Sequence, residues 1–256
     1  MKTFKLILLG LLTFIITAVW LTPAAFVAPH IQRMSPNIAI TGSSGTIWNG
    51  AANNLRINNF DLGKVNWKVL PLKSLTSLSL VSEIDLDGPE ITAQGLAAYA
   101  YDRTIRLNDI QFEAEASLVA RVQPMAKLGG KFQGLIKQAE VRPQAFPSIT
   151  GVLNWIQGTV SFPVRLTPGN YRADITSQDE TITAEIESAD APLELSGTTS
   201  LNSQWQYQAN VTAKTKPGVP PLLTNLLRSA AGGNPSADGS VQIKRKGSIK
   251  PIPLYQ

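Results

Sequence analysis

The chain has 256 residues, a formal net charge of +5, no cysteine and a single histidine. The missing thiols exclude cysteine nucleophiles, zinc–thiolate sites and iron–sulfur ligation. With His30 alone, Ser-His-Asp and Cys-His arrangements and histidine-based metal sites are excluded from the bulk of the chain.

Residues 6–29 form one uninterrupted uncharged stretch after Met1-Lys2-Thr3-Phe4-Lys5. At about 1.5 Å rise per residue, such a helix reaches across a hydrocarbon core of roughly 30 Å. The sequence therefore predicts a cytoplasmic stub and single transmembrane anchor in residues 1–30. Lys2 and Lys5 precede the run and only Arg33 follows closely. The positive-inside tendency then puts the N-terminus in the cytoplasm and the bulk of the chain in a bacterial periplasm. A cleaved signal peptide is the rival reading, but its small-x-small site is poor. Cutting after Ala25 puts Pro23 three positions back, and cutting after Ala28 puts Phe26 there. Trp20 and His30 suit the far interface, where amphipathic rings settle. A periplasm tolerates the lack of disulfides, and a domain of about 225 residues buries an adequate core without them.

Residues 31–247 read as a β-rich domain, because apolar and polar residues alternate. Val65, Trp67 and Val69 share one face, with Lys64, Asn66 and Lys68 on the other. In residues 78–86 the even positions read Leu, Leu, Ser, Ile, Leu and the odd ones Ser, Val, Glu, Asp. Tyr171, Ala173 and Ile175, then Ile182, Ala184 and Ile186, then Trp205, Tyr207, Ala209, Val211 and Ala213, and finally Val241 and Ile243 repeat the pattern. Turns are expected at Asn58-Asn59, Asp87-Gly88-Pro89, Pro168-Gly169-Asn170, Ser177-Gln178-Asp179 and Gly197. Two short helices are expected. One covers residues 114–122, stopped by Pro124. The other covers residues 221–230, with Pro221 at its start, Leu222, Leu223, Leu226 and Leu227 on one stripe, and Gly232-Gly233 at its end. Residues 248–256 read as a loose tail. About eleven strands make a large sheet, and two short helices cannot cover its apolar face. The expected fold is a large curled antiparallel sheet, trough-like, with the helices plugging its ends. The leucine stripe is read as that plug in preference to a partner-facing helix.

Reactive constellations are sparse. Gly42-Ser43-Ser44-Gly45 lacks the lysine and helix of a phosphate loop. Asp85 with Asp87, Glu113 with Glu115, and Glu185 with Glu187 are carboxylates two apart, on one face of a strand. A glycosidase-like pair would need such groups. The first and third pairs share the polar parity and read as solvent-facing, whereas the second lies at an expected strand-to-helix junction. Lys244-Arg245-Lys246 with Lys250 reads as a solvated strand end, and nucleic acid is not an expected partner outside the cytoplasm.

Gly45-Thr46-Ile47-Trp48-Asn49-Gly50, shortly after one membrane span, resembles the protein N family of the bacterial type II secretion system. Gly63, Trp67, Pro71 and Leu72 continue that family's pattern, and Trp155 after Gly151 and Pro220-Pro221-Leu222-Leu223 fit similar positions. The resemblance implies a non-enzymatic, inner-membrane accessory component of a machine that exports folded proteins from the periplasm across the outer membrane. It implies the bilayer and other secretion subunits, secretin or inner-membrane platform, as partners. It brings no catalytic, metal or cofactor-binding residues; Trp48 and Trp67 are read as core residues of the sheet, large rings that pin its curl. Two other classes stay open. A β trough tethered to the membrane would also suit lipid binding or transfer, and a periplasmic enzyme would rest on Glu113 and Glu115. Cut from the anchor, residues 31–256 should give a circular dichroism spectrum dominated by strand; a helix-dominated spectrum would contradict the architecture.

Overall fold

The structure, a computed structural model, describes residues 2–34, 37–58, 60–122, 127–161, 168–217, 219, 221–231, 236 and 238–249. The chain divides into two compact units, Met1–Gln94 and Gly95–Gln256.

The first unit opens with helices α1 (Lys2–Trp20) and α2 (Ala24–Met34). The apolar run of residues 6–29 is thus not one helix. Thr22 N–H tightens onto Val19 O at 3.3 Å, and Pro23, which has no N–H to donate, bridges to Thr46. The helix ends there, and α2 resumes with Pro29, His30 and Arg33 inside it. Residues 6–20 alone measure about 22 Å at helical rise, short of a hydrocarbon core of roughly 30 Å. Among the described residues no helix is long and apolar enough to cross a membrane. The expected single span over residues 1–30 is corrected accordingly.

Strands come next: β1 (Ile38–Thr41), β2 (Ser44–Gly45), β3 (Asn49–Ala52), β4 (Asn54–Ile57), β5 (Phe60–Asp61), β6 (Lys64–Val69), helix α3 (Pro71–Ser77) and β7 (Ser79–Asp87). They make a small sheet, β1-β4-β5, and the run β2-β3-β6-β7, antiparallel throughout. The sequence does not announce α3. This helix changes the parity at the start of β7: Ser79 and Val81 are buried while Leu78 and Leu80 are exposed, and the expected alternation resumes only at Glu83, Ile84, Asp85 and Leu86. Strand β8 (Ile91–Ala100) comes after the expected turn at Asp87-Gly88-Pro89 and runs from one unit into the other.

The second unit is a meander of β9 (Ile105–Glu115), β10 (Leu128–Val141), β11 (Ser148–Val160), β12 (Gly169–Gln178), β13 (Thr181–Asp190), β14 (Leu193–Asn202), β15 (Gln206–Thr215) and β16 (Val241–Ser248). Each pairs antiparallel with the next. The protein is mainly β, as expected. The helix expected over residues 114–122 shrinks, because Ala114 and Glu115 extend β9; only a 3-10 turn Ala116–Leu118 and α4 (Val119–Val122) remain. Helix α5 (Pro221–Ala231) matches its expectation. The glycine pair after it, Pro124, Asn59 and most of the tail lie outside the described residues.

Three of the expected turns are not where the sequence puts them: Gly169 and Asn170, expected in a turn with Pro168, open β12. Asp179 and Glu180 both carry positive φ, 48° and 55°, as a type I′ hairpin requires; Ser177 and Gln178 belong to β12. Gly197 is no turn at all. It sits inside β14 opposite Ile186 and Val211, with φ 149°. A Cβ there would lie 2.2 Å from Asn210 O.

Among the described residues no curled sheet is found, which corrects the expected trough. A sheet rolled on itself removes its large apolar side chains from water. Here the buried hydrophobics are mostly alanines, with Val69, Val81, Tyr171, Leu193 and Val241 the larger ones. The second unit gathers one cluster, Leu193, Ala213 and Val241, under Leu223 and Leu227 of α5. Gly197→Ala should lower the unfolding free energy by about 1–3 kcal/mol through backbone strain, read from urea unfolding of the full chain; an unchanged midpoint would contradict the assigned backbone.

Candidate functional site

The residues singled out from the sequence converge in the first unit, at the end of α1. Gly45-Thr46-Ile47-Trp48-Asn49-Gly50 is the hairpin turn from β2 to β3. Thr46 N–H donates to Asn49 O at 2.9 Å, and Asn49 N–H returns to the Thr46 hydroxyl at 3.1 Å. The turn is thereby closed at both ends, with Gly45 at φ 76°. It presents Trp48 to the helix. The Trp48 ring stacks on Trp20, centroids 5.8 Å apart and planes 20° apart. Its indole N–H donates to Val19 O at 2.9 Å. Ile47 N–H donates to Thr22 O at 3.1 Å. The motif thus donates to Val19 O in the last turn of α1, which also accepts from Thr22 N–H, and to Thr22 O just beyond it.

Trp67, on β6, supports the turn from beneath. Its indole N–H donates to Ile47 O at 3.1 Å. Its ring lies over Gly50, where a Cβ would come within 2.6 Å of Cζ2. Trp67 is half-buried. Gly63, in the loop before β6, ties the two sheets of this unit: its N–H donates to Asp61 Oδ1 at 3.0 Å and its carbonyl accepts from Leu55 at 2.7 Å. Pro71 occupies the first turn of α3 and Leu72 stands on that helix, 82% exposed. Gly45, Thr46, Trp48, Gly50 and Trp67 are therefore brought together, whereas Pro71 and Leu72 belong to the neighbouring helix.

The leucine stripe of α5 is divided. Leu223 and Leu227 pack on the cluster of the second unit, and Leu222 and Leu226 are exposed. A second tryptophan arrangement occurs on β11. Trp155 donates to Gly129 O at 3.0 Å, contacts Phe132 and Tyr171, and lies over Gly158. It shares with Trp67 the device of a ring laid over a glycine.

The carboxylate pairs behave differently from one another. Asp85, Asp87, Glu185 and Glu187 are exposed. Glu113 and Glu115 both face Lys131, at 2.6 and 3.9 Å, and Gln133 donates to Glu113 at 2.7 Å. The Lys131 and Gln133 hydrogen bonds hold the Glu113 carboxyl below the ordinary glutamate range, and Glu113 holds the Lys131 ammonium above its own. A lowered pKa disfavours the protonated form that a general acid needs at neutral pH. Lys244, Arg245 and Lys246 are exposed on β16. Among the described residues no three His, Cys, Asp or Glu side chains gather as a metal site would require. What the tryptophan arrangement does is mechanical: it fastens the end of α1 to a sheet. Sequence reasoning missed Trp20 as the stacking partner and Pro23 as the helix stop. Pro23, shortly after a tryptophan-ended apolar run, was the available signal.

A family model described as Type II secretion system (T2SS), protein N matches residues 36–244. The Type II secretion system protein N of Aeromonas hydrophila is 23% identical over 234 residues, covering 89% of this chain and 91% of that protein. That of Vibrio cholerae serotype O1 is 27% identical over 225 residues, covering 84% and 87%. No solved structure matches.

Trp67→Ala should destabilise the full chain by about 3 kcal/mol, the low end for tryptophan truncation because the ring is half-buried; a midpoint equal to wild type would show that the ring does not pin the turn. For Glu113, the lowered folded-state pKa makes its contribution present above the ordinary value of about 4.3 and lost as pH falls through the lower folded value. The melting temperature of wild type should therefore exceed that of Glu113→Gln at pH 7, with the gap closing in acid. A gap independent of pH would contradict the pairing.

Proposed function

The chain belongs to the type II secretion system protein N family, and from that membership we propose that it is a non-enzymatic accessory component of that system, held at the bacterial inner membrane. The observation that carries this reading is the family match over residues 36–244, which takes in most of the strands of both units. The proposed partners are other secretion components, secretin or inner-membrane platform subunits, and the proposed work is support of folded-protein export across the outer membrane.

Membrane attachment is assigned to α1. Its described side chains are exposed and overwhelmingly apolar, a surface of an extent that water-soluble folds rarely leave uncovered. Lys2 and Lys5 lie at its start. A short apolar helix is accommodated by thinning of the bilayer and by basic side chains that reach back to the headgroups. In this topology α1 alone is the membrane anchor, residues 31–247 are the periplasmic part and residues 248–256 a tail. The tryptophan joint sits where the chain leaves the bilayer, which suits the preference of tryptophan for that zone.

Mild crosslinking in intact cells, purification through a C-terminal tag and mass spectrometry of proteins and lipids tests the assignment. Recovery of secretin or platform subunits is expected; stoichiometric phospholipid without those subunits would overturn it in favour of lipid handling. Alkaline carbonate extraction tests the anchor. Wild type should remain in the membrane pellet, and Leu11→Arg with Ile15→Arg, each costing about 2.5–3.5 kcal/mol at a helix centre, should move to the supernatant. Extraction of wild type at alkaline pH would contradict it.

A further inference from the structure

Helix α3 is packed inside out. Its polar side holds the sheet: the Ser74 hydroxyl accepts from Val81 N–H at 2.9 Å, and Ser77 Oγ meets Ser79 Oγ at 2.7 Å. Its apolar side faces away, with Leu72 and Leu75, and Leu78 at the left-handed cap that follows it, exposed by 82, 75 and 74%. An amphipathic helix on a soluble domain turns its leucines toward the core; here both leucines of the helix and the capping Leu78 are left uncovered, and no residue of the helix is buried.

The position of α3 says what covers it. Val69 N–H donates to Trp48 O at 2.7 Å, and Pro71 opens α3 two residues later. Trp48 itself stacks on Trp20 at the last turn of α1. The leucine face therefore lies within a few residues of the point where α1 ends. Phe26, on the next helix, is 70% exposed. The helix contains no acid, and its only charge is Lys73, exposed. A short helix with leucines on one side, a lysine beside them and no carboxylate suits the boundary between headgroups and acyl chains.

We propose that α3 is a second membrane contact, its Leu72, Leu75 and Leu78 dipping into the lipid surface beside the end of α1. The contact rests on the reading of α1 as the anchor. It gives the first unit a fixed attitude to the bilayer, because one helix permits rotation about its axis and two contacts do not.

The chain has no cysteine, so a single introduced one takes a label uniquely. Full-length Leu75→Cys, carrying an environment-sensitive fluorophore, is reconstituted in vesicles of phosphatidylethanolamine and phosphatidylglycerol. Leu12→Cys reports on α1, and Gln206→Cys, exposed on β15, is the aqueous control. Emission from position 75 should shift to the blue and be quenched more by a nitroxide lipid with a shallow spin label than by a deep one, with the reverse order at position 12. Quenching at 12 with iodide-accessible emission at 75 would overturn the contact and leave the anchor standing. Lipid quenching at neither position would remove the anchor reading and the contact with it. Emission at 75 that is shielded from iodide yet unquenched by lipid would mean that a protein surface, such as a second copy, covers the leucines, and would overturn the proposal.

Discussion

The first unit depends on one contact, the indole of Trp48 against the final turn of α1. A helix that stops leaves carbonyls without partners, and Pro23 has no N–H to offer the preceding turn. Trp48 supplies a donor to Val19 O, Ile47 supplies one to Thr22 O, and the Trp20 ring stacks on the Trp48 ring. Each hydrogen bond is worth about 0.5–1.5 kcal/mol net, and the ring pair about as much beyond its buried area. None is large alone. Together they fix a direction, so that a helix and a sheet separated by a proline meet at a defined angle instead of swivelling on a linker.

The glycines and tryptophans of the motif are set by that constraint. Trp48 is presented by a four-residue turn whose floor is Trp67, and Trp67 reaches Ile47 O only by lying flat over Gly50. Any side chain at position 50 would lift the ring and loosen the turn above it. Trp155 over Gly158 shows the same economy of space in the second unit, where the ring instead joins β10, β11 and β12 through Phe132 and Tyr171. The arrangement is therefore structural: it holds the end of α1 against the sheet.

Much of the strand content was legible because alternation survives wherever a ladder has one wetter face. β6, β12, β13, β15 and β16 lie where period two put them. The failures share a cause: the deciding partner is remote in sequence. Gly197 looks like a turn until Asn210 O is brought against it by the next strand. Residues 78–86 mislead because Ser74 and Ser77 make a polar floor that buries Ser79, a pairing that periodicity does not register. The four leucines of α5 look like one stripe, but Leu222 and Leu226 turn away from the cluster that Leu223 and Leu227 cover. Among the motif residues, Trp67 lies on β6, half-buried, whereas Trp48 lies in the turn between β2 and β3 and on no strand. Sequence reasoning read Trp20 as an interfacial ring alone, since nothing local pairs it with a residue twenty-eight positions on, about the span of a helix, a turn and a hairpin arm.

A double-mutant cycle on Trp20 and Trp48 tests this joint most directly. Trp20→Leu, Trp48→Leu and the double variant are compared with wild type by urea unfolding of the full chain in phospholipid vesicles. The structure predicts a coupling of about 0.5–1.5 kcal/mol between the two positions, the worth of a stacked aromatic pair. Additive effects of the two substitutions would contradict it and would leave α1 without its fastening to the sheet.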